Sequence, residues 1–195
     1  MSLRKFFQKK VLEAGCDEAG RGCLAGPVFA AAVILDPKKS IKGLNDSKKL
    51  SEQMRYSLRF EIEQNALFWA VGSYSNLEID EVNILKASFY SMHRALDQLG
   101  VEPQLLLIDG NRFIQYKNVA HTCIIKGDAI FQSIAAASIL AKTYRDDHML
   151  LLHDEFPHYS WDQNKGYPTE KHRKGIKLHG TTPYHRMTFT LLKGE

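Results

Sequence analysis

Residues 11–35 read VLEAGCDEAGRGCLAGPVFAAAVIL, and this stretch decides the architecture. A short apolar run holding Val11, Leu12 and Ala14 predicts a strand over residues 10–17, closed by the acid pair Asp17-Glu18. Gly20-Arg21-Gly22 follow at once. Pro27 then leads into eight apolar residues, Val28 to Leu35, whose unbroken character predicts a second, buried strand. Gly20, Gly22 and Gly26, with Asp36 beyond, come near a dinucleotide fingerprint. Those glycines would have to open a helix, however, and here they open a strand.

Outward from this segment, residues 36–50 read as a polar loop. Met54, Leu58 and Ile62 recur at helical spacing behind Ser51, a candidate cap. Residues 66–74 are strand-like. Ser75-Asn-Leu-Glu78 is a capping-box pattern opening a helical stretch, broken once, that closes at Gly100. Gln104 to Ile108 predicts a buried strand ending in the turn Asp109-Gly110-Asn111, and residues 119–125 another. Gly127-Asp128 precede an alanine-rich helix predicted over 129–152, and a short basic helix is expected near 169–178. Strands come early, with helices between them and further strands and helices after, which is an α/β sheet of mixed strand direction.

A chain of 195 residues suits one domain, with a core over about 10–150 and a basic C-terminal extension over about 151–195. Residues 163–195 carry seven Lys/Arg against two acids, more net positive charge than the +4 of the whole chain. This is either a solvated face or a contact surface for a phosphate backbone. There is no run of apolar residues long enough for a membrane span. The N-terminus lacks a signal core, and three cysteines without C-x-x-C spacing disfavour a structural zinc, so a cytoplasmic monomer with no membrane attachment is expected.

Four carboxylates carry the chemistry. Asp17 and Glu18 close the first strand, Asp109 ends the Leu105–Ile108 run, and Asp128 stands where a strand gives way to a helix. Ligands of open α/β sheets gather at strand ends. Acids converging there repel one another unless they share a divalent cation, and all-oxygen ligation suits Mg²⁺ or Mn²⁺. Taken alone, Asp128 reads equally as a helix cap and Asp109 as a turn residue. The pair Asp17-Glu18 has no such structural use, although in a regular strand the two side chains alternate in direction, so the backbone is expected to bend after Asp17. Asn45, Ser47 and Lys48 form a polar loop cluster fit for phosphate or for a turn. Lys142 and Arg145 lie three apart on one helix, either as a surface pair or as a phosphate clamp. Tyr167, in Lys165-Gly166-Tyr167, is placed to stack on a base or sugar or to cover the core edge.

The assembled motifs, DEAGRG with AGP (17–27), NDSKKL (45–50), LLIDGN (106–111), KGD (126–128), SIAAASILAK (133–142), RD (145–146), KGYPT (165–169) and HGTTPYHR (179–186), resemble the ribonuclease HII (type 2 ribonuclease H) family, in the family's order over about residues 12–190. The resemblance implies a ribonuclease H-like mixed five-stranded sheet with a C-terminal helical extension, and two-metal hydrolysis beside ribonucleotides in RNA–DNA hybrids and duplex DNA, with no organic cofactor. It implies metal-binding and catalytic roles for Asp17, Glu18, Asp109 and Asp128, and reading of the 2′-hydroxyl by Gly20, Arg21 and Gly22. It further implies sugar stacking by Tyr167, and phosphate contacts at Asn45, Ser47, Lys48, Lys142, His185 and Arg186. Asn164 and Thr188 depart from the residues common among relatives. A catalytically silent nucleic-acid-binding module and a resolvase- or integrase-like nuclease are the competing readings.

Overall fold

The computed structural model describes residues 3–192; Met1, Ser2 and the last three residues, including the Lys193 and Glu195 counted in the basic tail, lie outside them. Five strands form one sheet in the order β3-β2-β1-β4-β5: β1 (Glu13–Ala19), β2 (Val28–Leu35), β3 (Ala66–Tyr74), β4 (Leu105–Asp109) and β5 (Ala120–Ile124). The early strands pair antiparallel, while β1 with β4 and β4 with β5 pair parallel.

Period-two alternation along β1 and β2 divides the core between two faces. Ala14 and Cys16 of β1, with Ala30 and Ala32 of β2, pack against Met92, Ala95 and Leu96 of α3 (Ile84–Asp97). Ala19, Ala31 and Val33 pack on the other side against α1 (Glu52–Asn65) and α4 (Gln132–Glu155). The approach of α4 is close enough that a Cβ on Gly15 would stand 2.3 Å from the Ser133 backbone. The small residues of β1 and β2 therefore set the helix-to-sheet distance, and only a near-flat surface lets the α4 backbone come this near.

The expected elements are present, with three adjustments. β1 starts at Glu13, because Lys10 has a φ of 64° that no strand residue adopts. The predicted break after Ser75 falls at Asn83, which has φ 71°, ends α2 (Asn76–Val82) and caps α3 with its side-chain oxygen. The long helix begins at Gln132 rather than at Ala129. Gly127–Ala129 form a single 3₁₀ turn, and Phe131 is extended between two bonds to Arg4, whose N–H donates to the Ile130 carbonyl and whose carbonyl accepts the Gln132 N–H. Asp128 is consequently not the cap of α4, a position taken by Phe131.

Past α4 the chain forms α5 (Trp161–Asn164) and α6 (Glu170–His179), the latter capped by Thr169. They pack on Leu24, Ala25 and Met149 in a satellite core around Trp161. The C-terminal segment then returns to the loop between β1 and β2, where His185 bridges Ala25.

Candidate active site

The pairing of β1 with β4 stops at Cys16 and Ile108. Beyond that pair the two strands part, and a cavity of about 470 Å³ opens at their carboxyl ends. Asp17, Glu18, Asp109 and Asp128 all line it. The expected bend after Asp17 is absent, since β1 stays in register with β2 through Ala19. Both acids of the pair still reach the cavity, because it lies across the end of the sheet instead of over one face.

Each acid is held differently. Asp17 is buried, and its Oδ1 accepts the Glu18 N–H at 2.7 Å. Glu18 pairs with Arg21 at 3.2 Å. Asp109 accepts the Gly127 N–H at 2.7 Å. Burial is the main cause raising the proton affinity of all four, and repulsion from others of the four adds to it at Asp17, Glu18 and Asp128. Asp17 rises well above the ordinary carboxylate range, through burial and then the charges of Glu18 and Asp109. Asp128 rises to about 6, through burial and then Asp109 and Asp46. Arg21 opposes this at Glu18, and Lys48 does so more weakly at Glu18, Asp109 and Asp128.

Among the described residues no three His, Cys, Asp or Glu side chains already converge on one point. The donor set nonetheless fits a hard divalent cation: four carboxylates share one cavity, and their raised proton affinities report negative charge that lacks a counterion. Asp17 and Glu18 with Asp109 and Asp128 are the residues that would hold such an ion.

The opposite wall is glycine-rich and basic. Gly20, Arg21, Gly22, Ser47, Lys48, Lys142 and Tyr167 all line the cavity. Gly20 has φ +97°, and a Cβ there would stand 2.0 Å from the Arg145 side chain, whereas a Cβ on Gly22 would meet only the Tyr167 ring at 3.9 Å. Lys142 is paired with Asp146 at 2.5 Å, and burial lowers its proton affinity. Ser47 Oγ lies 3.0 Å from Ser138 Oγ.

Three sequence-predicted contacts stand elsewhere. Asn45 is exposed and spends its side-chain oxygen on the Asp46 N–H, outside the cavity lining. His185 and Arg186 are buried rather than offered to phosphate. His185 Nδ1 accepts the Thr182 N–H, and its Nε2 meets that of His172 at 3.2 Å. Arg186 donates to the carbonyls of Gly26 and Arg21. Arg145 is neither a surface residue nor a clamp. It is buried and donates to the Pro27, Lys165 and Ala25 carbonyls. A charged residue can vanish into the fold when its hydrogen bonds go to backbone oxygens, and the sequence carries no mark of that. Ser138 went unnoticed although it interrupts an alanine run one helical turn before Lys142, which is a usable signal.

A mixed five-stranded sheet with an acidic cleft beyond the ends of its first and fourth strands, faced by a glycine-rich basic wall, defines a ribonuclease H-type enzyme. The family model described as Ribonuclease HII matches residues 14–192. The Ribonuclease HII of Bacteroides thetaiotaomicron is 65% identical over 190 residues, covering 97% of this chain and 95% of that protein, and that of Porphyromonas gingivalis is 57% identical over 189 residues, covering 97% and 94%. Among solved structures, the ribonuclease H2 from Pyrococcus horikoshii OT3 superposes with a TM-score of 0.75 at 26% identity, covering 92% of this chain and 94% of that one. The RNase HII of the PCNA:RNase HII complex from Archaeoglobus fulgidus gives 0.80 at 25%, covering 95% and 98%. The chain belongs to the ribonuclease HII family, and it is a metal-dependent endoribonuclease acting on RNA–DNA hybrids.

Proposed function

We propose that the cleft hydrolyses the phosphodiester on the 5′ side of a ribonucleotide, in hybrids and in duplex DNA carrying a single embedded ribonucleotide, leaving a 3′-hydroxyl and a 5′-phosphate. The observation that supports this is the meeting, on one cavity, of four carboxylates with the Gly20-Arg21-Gly22 loop and Tyr167. Two divalent ions, Mg²⁺ or Mn²⁺, held by Asp17, Glu18, Asp109 and Asp128, would supply an activated water and charge stabilisation at the leaving 3′-oxygen.

The chain's own residues provide the rest. Lys48 and Lys142 on the cavity wall attract the phosphate backbone, which carries no information about the sugar. Discrimination requires contact with the 2′-hydroxyl. Gly22 suits that task, because it presents bare backbone to the cavity and its N–H donates to no group among the described residues. Tyr167, 39% exposed, offers a ring face beside it for the neighbouring sugar. The reading extends to a monomer of the cytoplasm without an organic cofactor, and three free cysteines suit a reducing compartment.

A labelled duplex with one internal ribonucleotide decides the matter. With Mg²⁺, one nick 5′ of the ribonucleotide is expected, and EDTA removes it. Cleavage of an all-DNA duplex at a comparable rate, or cleavage on the 3′ side, would overturn the reading.

A further inference from the structure

We propose that Arg186 is a positioning residue for ribonucleotide recognition, acting through the Gly22 amide; the proposal rests on the reading that the Gly-Arg-Gly loop recognises the 2′-hydroxyl. Arg186 is fully buried and does not line the cavity. Its Nη1 donates to the Arg21 carbonyl at 3.0 Å and its Nε to the Gly26 carbonyl at 3.0 Å. The Arg21 carbonyl and the Gly22 N–H belong to one peptide unit, and every peptide bond among the described residues is trans. In a planar trans peptide these two groups point in opposite directions. Drawing the carbonyl back toward Arg186 therefore turns the Gly22 N–H the other way, on a residue that lines the cavity.

The backbone around Arg186 fixes it against the same loop. Its own N–H donates to the Leu24 carbonyl at 2.8 Å, and the Gly26 N–H donates to the Tyr184 carbonyl at 2.9 Å. Arg145 takes the Ala25, Pro27 and Lys165 carbonyls from the other side, so two buried guanidiniums gather the carbonyls of both the reader loop and the Tyr167 loop. Neither arginine forms an ion pair among the described residues, and Nη2 of Arg186 is buried without a partner among them. For stability alone this is a poor arrangement, since apolar residues of similar volume commonly serve as well or better than buried charge. An oriented loop is what it provides.

The test uses binding in an Asp17→Asn background, comparing a duplex with one ribonucleotide to its all-DNA counterpart. Arg186→Lys keeps the charge and loses the two-point grip. It is expected to lower the preference for the ribonucleotide duplex about tenfold or more, as loss of a charge-assisted hydrogen bond implies, while affinity for all-DNA duplex holds. Equal loss on both duplexes, with a shallower salt dependence, would mean phosphate contact and would overturn the proposal, as would an unchanged preference. If the Asp17→Asn background itself shows no preference, the reader assignment fails and takes the proposal with it. Should Arg186→Lys not fold, the Nε–H resonance of Arg186 in the Asp17→Asn chain decides. A slowly exchanging signal that an all-DNA duplex leaves in place supports positioning, and a large shift on adding that duplex refutes it.

Discussion

The Asp109 carboxylate accepts the Gly127 N–H at 2.7 Å, which fastens the end of β4 to the turn that carries Asp128. Two acids far apart in the chain are thereby tied together at one cavity by hydrogen bonding between a strand end and a 3₁₀ turn. Replacing Asp109 with Asn keeps an acceptor for that N–H and removes only the charge. Asp109→Asn is therefore expected to retain the melting temperature of the parent within a few degrees while nicking falls about a thousandfold. Retained turnover would exclude Asp109 from the reaction.

Asp17→Asn is expected to bring cleavage to background and to strengthen binding of the ribonucleotide duplex when no divalent ion is present, because one negative charge leaves the phosphate site. Gel-shift titration in EDTA measures it. Weaker binding than the parent would contradict the view that unbalanced negative charge dominates the empty cleft.

The acid cluster gives stability a definite pH sign. Folding raises the proton affinity of these carboxyls, Asp128 from 3.8 to about 6 and Asp17 well above the ordinary carboxylate range, so the folded state holds more protons across that window. The stabilisation is complete below pH 3.8 and is lost as pH rises through 6 and above. A bound divalent cation replaces the protons. The gain in melting temperature on adding Mg²⁺ should therefore grow steadily from pH 4 to 7, and a gain independent of pH would be inconsistent with cation binding by these acids.

Histidines act in the opposite sense. Burial, followed by the charge of His172, lowers His185 to about 4, and burial also lowers His172. His172 Nδ1 meets the Tyr167 carbonyl and so is protonated, which leaves its Nε2 to accept from Trp161 Nε1 at 3.0 Å and from His185. Both rings are neutral in that arrangement. Their contribution is present above pH 6.5 and is lost as pH falls toward 4. Trp161 fluorescence in a Trp69→Phe variant should shift to the red across this range ahead of global unfolding, and an emission maximum that moves only with global unfolding would dissociate Trp161 from the histidines.

The two glycines of the reader loop should separate experimentally. Gly20→Ala places a Cβ against Arg145 at positive φ and is expected to cost about 2 kcal/mol or more. Gly22→Val meets open space near Tyr167, so unfolding in urea should be nearly unchanged while ribonucleotide-dependent cleavage is lost. Parent-like cleavage by Gly22→Val would assign recognition to another group.

Much of this was legible in the chain. The sheet's strands follow from apolar runs such as Val28–Leu35, and the caps at Ser51 and Ser75 follow from their side chains. The four acids stood out because turns and strand ends expose carboxylates to one another. Asp128 could not be separated from a helix cap by sequence, because its 3₁₀ turn depends on Asp109 and on Arg4, both far away in the chain. Arg145, His185 and Arg186 misled for a related reason. Their partners are carbonyls, amides and aromatic rings of distant segments, and backbone groups carry no residue identity from which such pairing can be read.

The return of residues 184–186 onto the β1–β2 loop makes the order of assembly matter for that loop. Arg186 clasps Gly26 and Arg21 from 160 and 165 positions further along the chain, so the final shape of that loop is set only once this distant segment has docked.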